Sequence, residues 1–191
     1  MKETFCKRIS IDLKESQINW KVIILFIPIA FITSIFHESG HWIFGELSGN
    51  DMTLSLNNSA PKSGYFINDY DALWSAIGGP VFTMIQAFVF LFITWITKSI
   101  YAYSFTFFAI FSRFFSIVFG GINLQDEARI ASMMDTNKYI IAAIVLTILF
   151  LILWRCNRIM KLNTKAIGYF TILGTIAILI VIGVNELIMI N

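Results

Sequence analysis

Residues 20–47 read WKVIILFIPIAFITSIFHESGHWIFGEL. The stretch exceeds the roughly 20 mostly apolar residues that an α-helix needs to cross a bilayer, so it predicts a membrane-spanning helix. Two histidines and two glutamates nevertheless lie in its second half. Ionisable side chains at membrane depth are costly and usually mark a functional site. The segment therefore predicts both a membrane fold and a site of chemistry inside it.

The composition of the whole chain agrees with a membrane protein. Hydrophobic residues make up 57% of the 191 residues and charged residues only 14%, whereas soluble domains carry about 25% charged residues. The chain has no basic block with interleaved aromatic residues, so we expect no nucleic-acid partner. Its cysteines, Cys6 and Cys156, form no metal-binding or redox spacing.

Four further apolar segments follow the first. Hydropathy places the five candidate spans at residues 20–47, 73–97, 100–121, 139–154 and 167–190. Tryptophan and tyrosine residues near the span ends are typical of side chains at a membrane interface. We therefore predict an all-α polytopic membrane protein with about five transmembrane helices in a lipid bilayer.

Basic residues are unevenly distributed between the connecting segments. They gather before the first span and between the fourth and fifth spans, which five crossings place on one side of the membrane. They are Lys2, Lys7, Arg8, Lys14 and Lys21, followed by Arg155, Arg158, Lys161 and Lys165. The positive-inside rule then predicts a cytoplasmic N-terminus, and we expect the membrane to be a bacterial cytoplasmic one. Residues 1–19 fit a basic amphipathic helix on the membrane surface or a charged tail.

The segment between the first two spans breaks the apolar pattern. Residues 50–71 combine the alternating stretch MTLSL with the turn formers NNSAPKSG and the short β-prone stretch GYFI. This combination predicts a short β-hairpin. The chain then divides into an N-terminal segment (1–19), a core of three spans and the hairpin (20–136), and two C-terminal helices (137–191).

The polar residues of the first span form a metal-binding pattern. His37, Glu38 and His41 make the sequence H-E-x-x-H. Residues four apart lie on one face of a helix, so both imidazoles can reach one metal ion, and the adjacent glutamate can reach a water molecule bound to it. Zinc suits such a site because imidazole and carboxylate ligands can leave one position open for water.

Two histidines do not complete a catalytic zinc site, which usually has three protein ligands. The chain has no other histidine, so the third ligand must be a carboxylate or, less plausibly, Cys156. Glu46 lies nine residues after His37, about half a turn away around the helix, and points away from the metal. The remaining candidates are Asp51, Asp69, Asp71, Asp126, Glu127, Asp135 and Glu186.

The residues after the third span carry a resemblance to a known family. They read NLQDEARIASMM, and the second span contains AIGGPVFTMIQAF. Together with H-E-x-x-H, these motifs resemble the site-2 protease family of intramembrane zinc metalloproteases, in a minimal form without a PDZ domain. The resemblance covers about residues 30–136. It departs from the family pattern at Glu127, which replaces a glycine.

The resemblance implies a site and an activity. It implies that Asp126 is the third zinc ligand, with Glu127 and Asp135 as rivals. It also suggests that Asn123 orients the substrate or the developing oxyanion, and the alternative is that Asn123 only ends the third helix. Candidate substrate-binding residues, matching the family's Gly-Pro motif, are Gly78, Gly79 and Pro80. The expected activity is hydrolysis of peptide bonds in or near transmembrane segments of membrane proteins or peptides.

In this mechanism Glu38 takes a proton from water and later passes it to the leaving amine. Two other functions use the same residues. One is a non-catalytic membrane protein that binds a metal or a substrate, and the other is a membrane zinc protease of another family with Glu127 as ligand. Arg113 lies inside the third span and predicts an interhelical ion pair, for which Glu186 is a candidate partner.

Overall fold

Five helices are long and apolar enough to cross a membrane. They belong to a computed structural model that describes the backbone of residues 2–190 and the side chains of residues 7–188. The predicted all-α polytopic fold with a short hairpin is confirmed. The elements are α1 (Lys2–Glu15), α2 (Trp20–Leu47), β1 (Met52–Leu54), β2 (Ser59–Pro61), α3 (Asp69–Thr97), α4 (Ile100–Phe119), a 3-10 turn (Ile122–Leu124), α5 (Asp126–Met133), α6 (Lys138–Met160) and α7 (Thr164–Ile190).

Polar residues fix where the spanning helices begin. A helix leaves its first backbone N–H groups without partners, and an asparagine or serine just before it can accept a hydrogen bond from one of them. Asn19 does this for α2 with the N–H of Val22 at 3.0 Å. Asn68 does the same for α3, which therefore begins at Asp69, four residues before the predicted start of this span.

The hairpin between α2 and α3 is shorter than predicted. Its two antiparallel strands pair over three residues each, with Thr53 opposite Ala60. The second strand, Ser59–Pro61, comes from the stretch NNSAPKSG, and residues 65–67 lie outside the sheet. The turn closes earlier because Ser55 donates to the carbonyl of Asn58 from both its backbone N–H and its hydroxyl.

The hairpin is attached to the end of α2. The backbone N–H of Met52 donates to Glu46 Oε1 at 2.8 Å. The Met52 side chain packs so closely on Gly45 that a side chain at Gly45 would overlap it. Glu46 therefore holds the start of the hairpin against the end of α2.

A buried aromatic cluster joins α2, α4 and α7. Phe26 of α2 contacts Phe170 of α7 with ring centroids 5.4 Å apart, and Tyr103 of α4 contacts the same ring at 5.0 Å. Large apolar side chains on the outside of the bundle, such as Trp154, are exposed. A chain with aromatic residues both inside and outside suits a lipid environment, in which the outer face is not in water.

Candidate metal centre

The two histidines lie on successive turns of α2. Their Nε2 atoms are 3.3 Å apart, and the planes of the two rings are almost perpendicular. Glu38 lies beside them, since His37, Glu38 and His41 each offer a ligand atom within 4.8 Å of the others. The α-helical spacing expected for H-E-x-x-H therefore brings all three side chains to one point.

Asp126 completes this group from another part of the chain. It is the first residue of α5, and its Oδ2 atom lies 3.1 Å from His37 Nε2 and 3.4 Å from His41 Nε2. The two nitrogens and the oxygen therefore form a nearly equilateral triangle. Ligands of a tetrahedral zinc ion at 2.0–2.1 Å are separated from one another by about 3.3 Å. The three separations match that value.

The other ring nitrogen of each histidine has its own partner. His41 Nδ1 lies 2.7 Å from the backbone carbonyl oxygen of Ser75, which can only accept a hydrogen bond. His37 Nδ1 lies 2.9 Å from Thr83 Oγ1, whose own proton goes to the carbonyl of Gly79. Both Nδ1 atoms therefore carry the ring hydrogen and donate it. A neutral imidazole in this tautomer presents a lone pair at Nε2.

The donor set tests whether a metal ion fits. Two lone pairs and one carboxylate oxygen at 3.1–3.4 Å from one another repel unless something positive lies between them. A single proton can bridge only two of the three atoms, whereas a metal ion satisfies all three together. Two imidazoles and a carboxylate are a ligand set that zinc accepts. The residues present therefore fit a zinc ion.

The carboxyl group of Asp126 is held in its charged form. Burial alone would raise the pKa of Asp126, but the Arg113 guanidinium, whose Nη2 atom lies 3.1 Å from Asp126 Oδ2, lowers it. The pKa of Asp126 lies below its usual range. Asp126 is therefore ionised at neutral pH, as a metal ligand must be.

Glycines let α3 approach the histidines. A side chain at Gly79 would overlap the imidazole of His41 and that of His37. The neighbouring Gly78 meets the backbone of Gly40 where α3 crosses α2. Pro80 is buried in the same part of α3. The structure thus places these predicted substrate-binding residues in helix packing, and a contact with substrate stays a prediction.

A polar cavity of about 400 Å³ opens beside the four site residues. Hydroxyl, amide and guanidinium groups dominate its lining, although it lies among apolar helices. They come from Thr33, Ser34, Ser112, Ser116, Gln125 and Arg129. The turn of the hairpin, residues 57–59, closes one side of the cavity. Such a lining suits water, and hydrolysis of any kind requires access to water.

Asn123 lies apart from this cavity. It belongs to the 3-10 turn before α5, and its side-chain oxygen accepts a hydrogen bond from Lys138 Nζ at 2.8 Å. It lines a second cavity of about 750 Å³, to which Asp135 also belongs. The structure therefore does not bring Asn123 together with the histidines, and its role toward substrate stays a prediction.

Other residues considered as the third zinc ligand contact different partners in the structure. Glu127 is fully buried and bound to Arg113, Asp51 pairs with Lys62 at 2.7 Å, and Asp71 accepts a hydrogen bond from Asn50. Cys156 is buried in the aromatic cluster of α2, α4 and α7.

The partner suggested for Arg113 was wrong. Its guanidinium binds Glu127 and Asp126, whereas Glu186 lies exposed near the end of α7. The reason is local: α5 begins shortly after the 3-10 turn that follows α4, and its first two residues, Asp126 and Glu127, lie within hydrogen-bond distance of Arg113.

Sequence reasoning missed the residues that support the ligands. Ser75 acts through its backbone carbonyl, which has no signal in the sequence. Thr83 is one of several threonines in the spans, and nothing in the sequence distinguishes it from the others. Arg113 had a signal, because a buried cation in an apolar helix needs an acidic partner, but the sequence did not identify the partner.

The chain was compared with known protein families, with functionally characterised proteins and with solved structures, and none of these comparisons gave a match.

Proposed function

We propose that this protein is a zinc-dependent intramembrane endopeptidase, similar to the site-2 protease family. The observation that carries the proposal is the triangle of His37 Nε2, His41 Nε2 and Asp126 Oδ2, with Glu38 beside it. The polar cavity gives this triangle a place for water and a peptide inside an apolar bundle.

Each site residue has a role in the proposed reaction. His37, His41 and Asp126 would hold zinc, which when bound activates a water molecule and polarises a peptide carbonyl. The Glu38 carboxylate accepts the proton of the water and returns it to the leaving amine. Thr83 and the Ser75 carbonyl fix the two imidazoles so that both Nε2 lone pairs point to the same position.

The proposed substrate is a membrane protein or peptide with a transmembrane segment. Such a segment must unwind locally, because helical hydrogen bonds shield its carbonyls from attack. The hairpin turn at the cavity supports this choice, since its strands offer edges along which an extended segment can pair. We further propose that the N-terminus is cytoplasmic, on the distribution of basic residues.

The proposal is tested by Glu38→Gln, which removes the base but none of the three proposed zinc ligands. We expect the purified variant to bind one zinc ion per chain, as the wild type does, and to lose peptide cleavage by at least about 100-fold. The measurements are metal analysis and cleavage of a panel of single-span peptides in proteoliposomes. Glu186→Gln, on the exposed part of α7, is the matched control and should cleave normally.

Two results would contradict the proposal. Cleavage by Glu38→Gln at the wild-type rate would exclude Glu38 as the base. Zinc binding by the wild type without cleavage of any peptide in the panel would favour a non-catalytic metal-binding membrane protein.

A further inference from the structure

Arg113 is a buried cation in an apolar helix, and within the described part of the chain its side-chain hydrogen bonds go to α5. Only 7% of its surface is exposed. Its Nε atom donates to Glu127 Oε1 at 2.7 Å, and its Nη2 atom donates to Glu127 Oε2. The same Nη2 atom donates to Asp126 Oδ2 at 3.1 Å. One guanidinium therefore binds two consecutive carboxylates.

Arg113 binds both oxygens of one carboxylate but only one oxygen of the other. Both oxygens of Glu127 are taken up by Arg113, and the Glu127 side chain is fully buried. Asp126 gives Arg113 only Oδ2, the same atom that lies 3.1 Å from His37 Nε2. Arg113 thus holds one acidic side chain away from the histidines and the other against them.

The other carboxylate oxygen of Asp126, Oδ1, lies near a second arginine. Arg129 lies one helical turn further along α5, with its Nη2 atom 3.7 Å from Asp126 Oδ1. Arg129 is half-exposed at the cavity, whereas Arg113 is buried, so the contact with Arg113 is the better shielded from solvent. The orientation of the Asp126 carboxylate therefore depends mainly on Arg113.

We propose that Arg113 is a positioning residue that selects Asp126, and not Glu127, as the third metal ligand. The inference rests on the metal site of the proposed function. Glu127 serves as the counter-ion that keeps Arg113 in place, because a buried guanidinium needs a buried carboxylate. Asp126 then receives a hydrogen bond from a fixed donor, which holds Oδ2 at the distance from the imidazoles that a metal ion requires.

A purely structural ion pair makes a different prediction. If Arg113 and Glu127 only joined α4 to α5, replacing both by apolar residues of similar size would leave the protein as stable, or more so, with its metal site unchanged. If Arg113 positions Asp126, the same replacement weakens metal binding even in a folded protein. The two roles are therefore separable by removing both members of the pair together.

The experiment measures zinc affinity by competition with a chelator, using the full chain purified in detergent. The variants are Arg113→Met/Glu127→Met and Arg113→Gln/Glu127→Gln, both of which avoid an unpaired buried charge. We expect zinc to bind about 10–100-fold more weakly to the methionine variant, the loss typical of removing a residue that orients a ligand. The glutamine variant should lose less, because its amide can still donate to Asp126.

Two further variants complete the test. Tyr103→Phe removes a partly buried hydrogen bond between Tyr103 of α4 and Asn157 of α6, outside the site, and should bind zinc as the wild type does. In an Asp126→Ala background, the methionine replacements should weaken zinc binding little further, because Arg113 acts through Asp126. Wild-type zinc affinity in the methionine double variant would overturn the inference while leaving the proposed function intact. Absence of zinc binding by the wild type would overturn both.

Discussion

At the scale of single residues, the proposed metal site depends on which ring nitrogen of each histidine carries the hydrogen, as well as on which residues are ligands. His37 and His41 present their Nε2 atoms to the same point because each Nδ1 hydrogen is donated elsewhere, to Thr83 Oγ1 and to the Ser75 carbonyl. Without these acceptors, either ring could turn over or exchange its tautomer. The H-E-x-x-H spacing supplies the two rings, and α3 determines which nitrogens they offer.

Thr83→Val tests this dependence at His37. Valine keeps the shape of threonine but cannot accept the Nδ1 hydrogen, so we expect zinc to bind about 10–100-fold more weakly. Chelator competition on the purified protein measures the change. Thr83→Ser keeps the hydroxyl and should retain most of the affinity. Equal affinity in the valine and serine variants would contradict the role assigned to this hydrogen bond.

At the scale of elements, the crossing of α2 and α3 brings the supporting residues to the histidines. The two helices touch through the backbones of Gly40 and Gly78, and Gly79 leaves room for the imidazoles. Helices in membranes often approach closely at small residues, because no side chain keeps their backbones apart. The glycines of the Gly-Gly-Pro stretch therefore have a structural role, close helix packing, that does not involve substrate.

Gly78→Ala tests the importance of this crossing. The added methyl group meets the carbonyl of Gly40, so the helices must separate, and we expect a loss of about 1–3 kcal/mol in the free energy of unfolding. Zinc affinity should fall as well, because Thr83 and Ser75 move with α3. Thermal unfolding in detergent and chelator competition measure the two effects.

The matched control for this change is Gly168→Ala on α7. A methyl group there meets nothing within 4 Å, and alanine is the better helix former. It should therefore unfold no earlier than the wild type. A Gly78→Ala variant as stable as this control would show that the close crossing is not required.

At the scale of the whole molecule, the helix bundle has an apolar exterior and contains a polar cavity. The aromatic cluster of α2, α4 and α7 packs one side, and α3 and α5 close the other around the site. Exposed residues such as Trp20 and Trp154 lie near the ends of spans, as expected for side chains at a membrane interface. If all five candidate spans cross the membrane, the start of α2 and the end of α7 lie on opposite sides of it.

The proposed orientation is tested with reporter fusions in bacterial cells. Alkaline phosphatase needs disulfides and is active only outside the cytoplasm. Fused after residue 191 it should be active, and fused after Lys161, between α6 and α7, it should be inactive. The reverse pattern would place the N-terminus outside and contradict the orientation predicted by the positive-inside rule.

Much of the fold was predictable because the spans are long and uniformly apolar. The first span was predicted at its observed limits, since Asn19 before it and the polar hairpin after it mark both ends. The start of α3 and the end of α6 were missed, because Asp69 and Arg158 are charged residues that extend helices beyond the apolar stretch. Hydropathy detects the part of a helix in lipid and not its polar ends.

The sequence by itself determined the five spans, the hairpin and the pairing of His37, Glu38 and His41, because helical periodicity and hydropathy act over short distances. Composition and spacing left seven carboxylates for the third partner, and only the family resemblance singled out Asp126. Only the tertiary structure placed Asp126 Oδ2 against both imidazoles, Thr83 behind His37 and Arg113 between Asp126 and Glu127. These contacts join residues 13 to 89 positions apart, and they exist because α3 packs against α2 and α4, and α5 packs against α3.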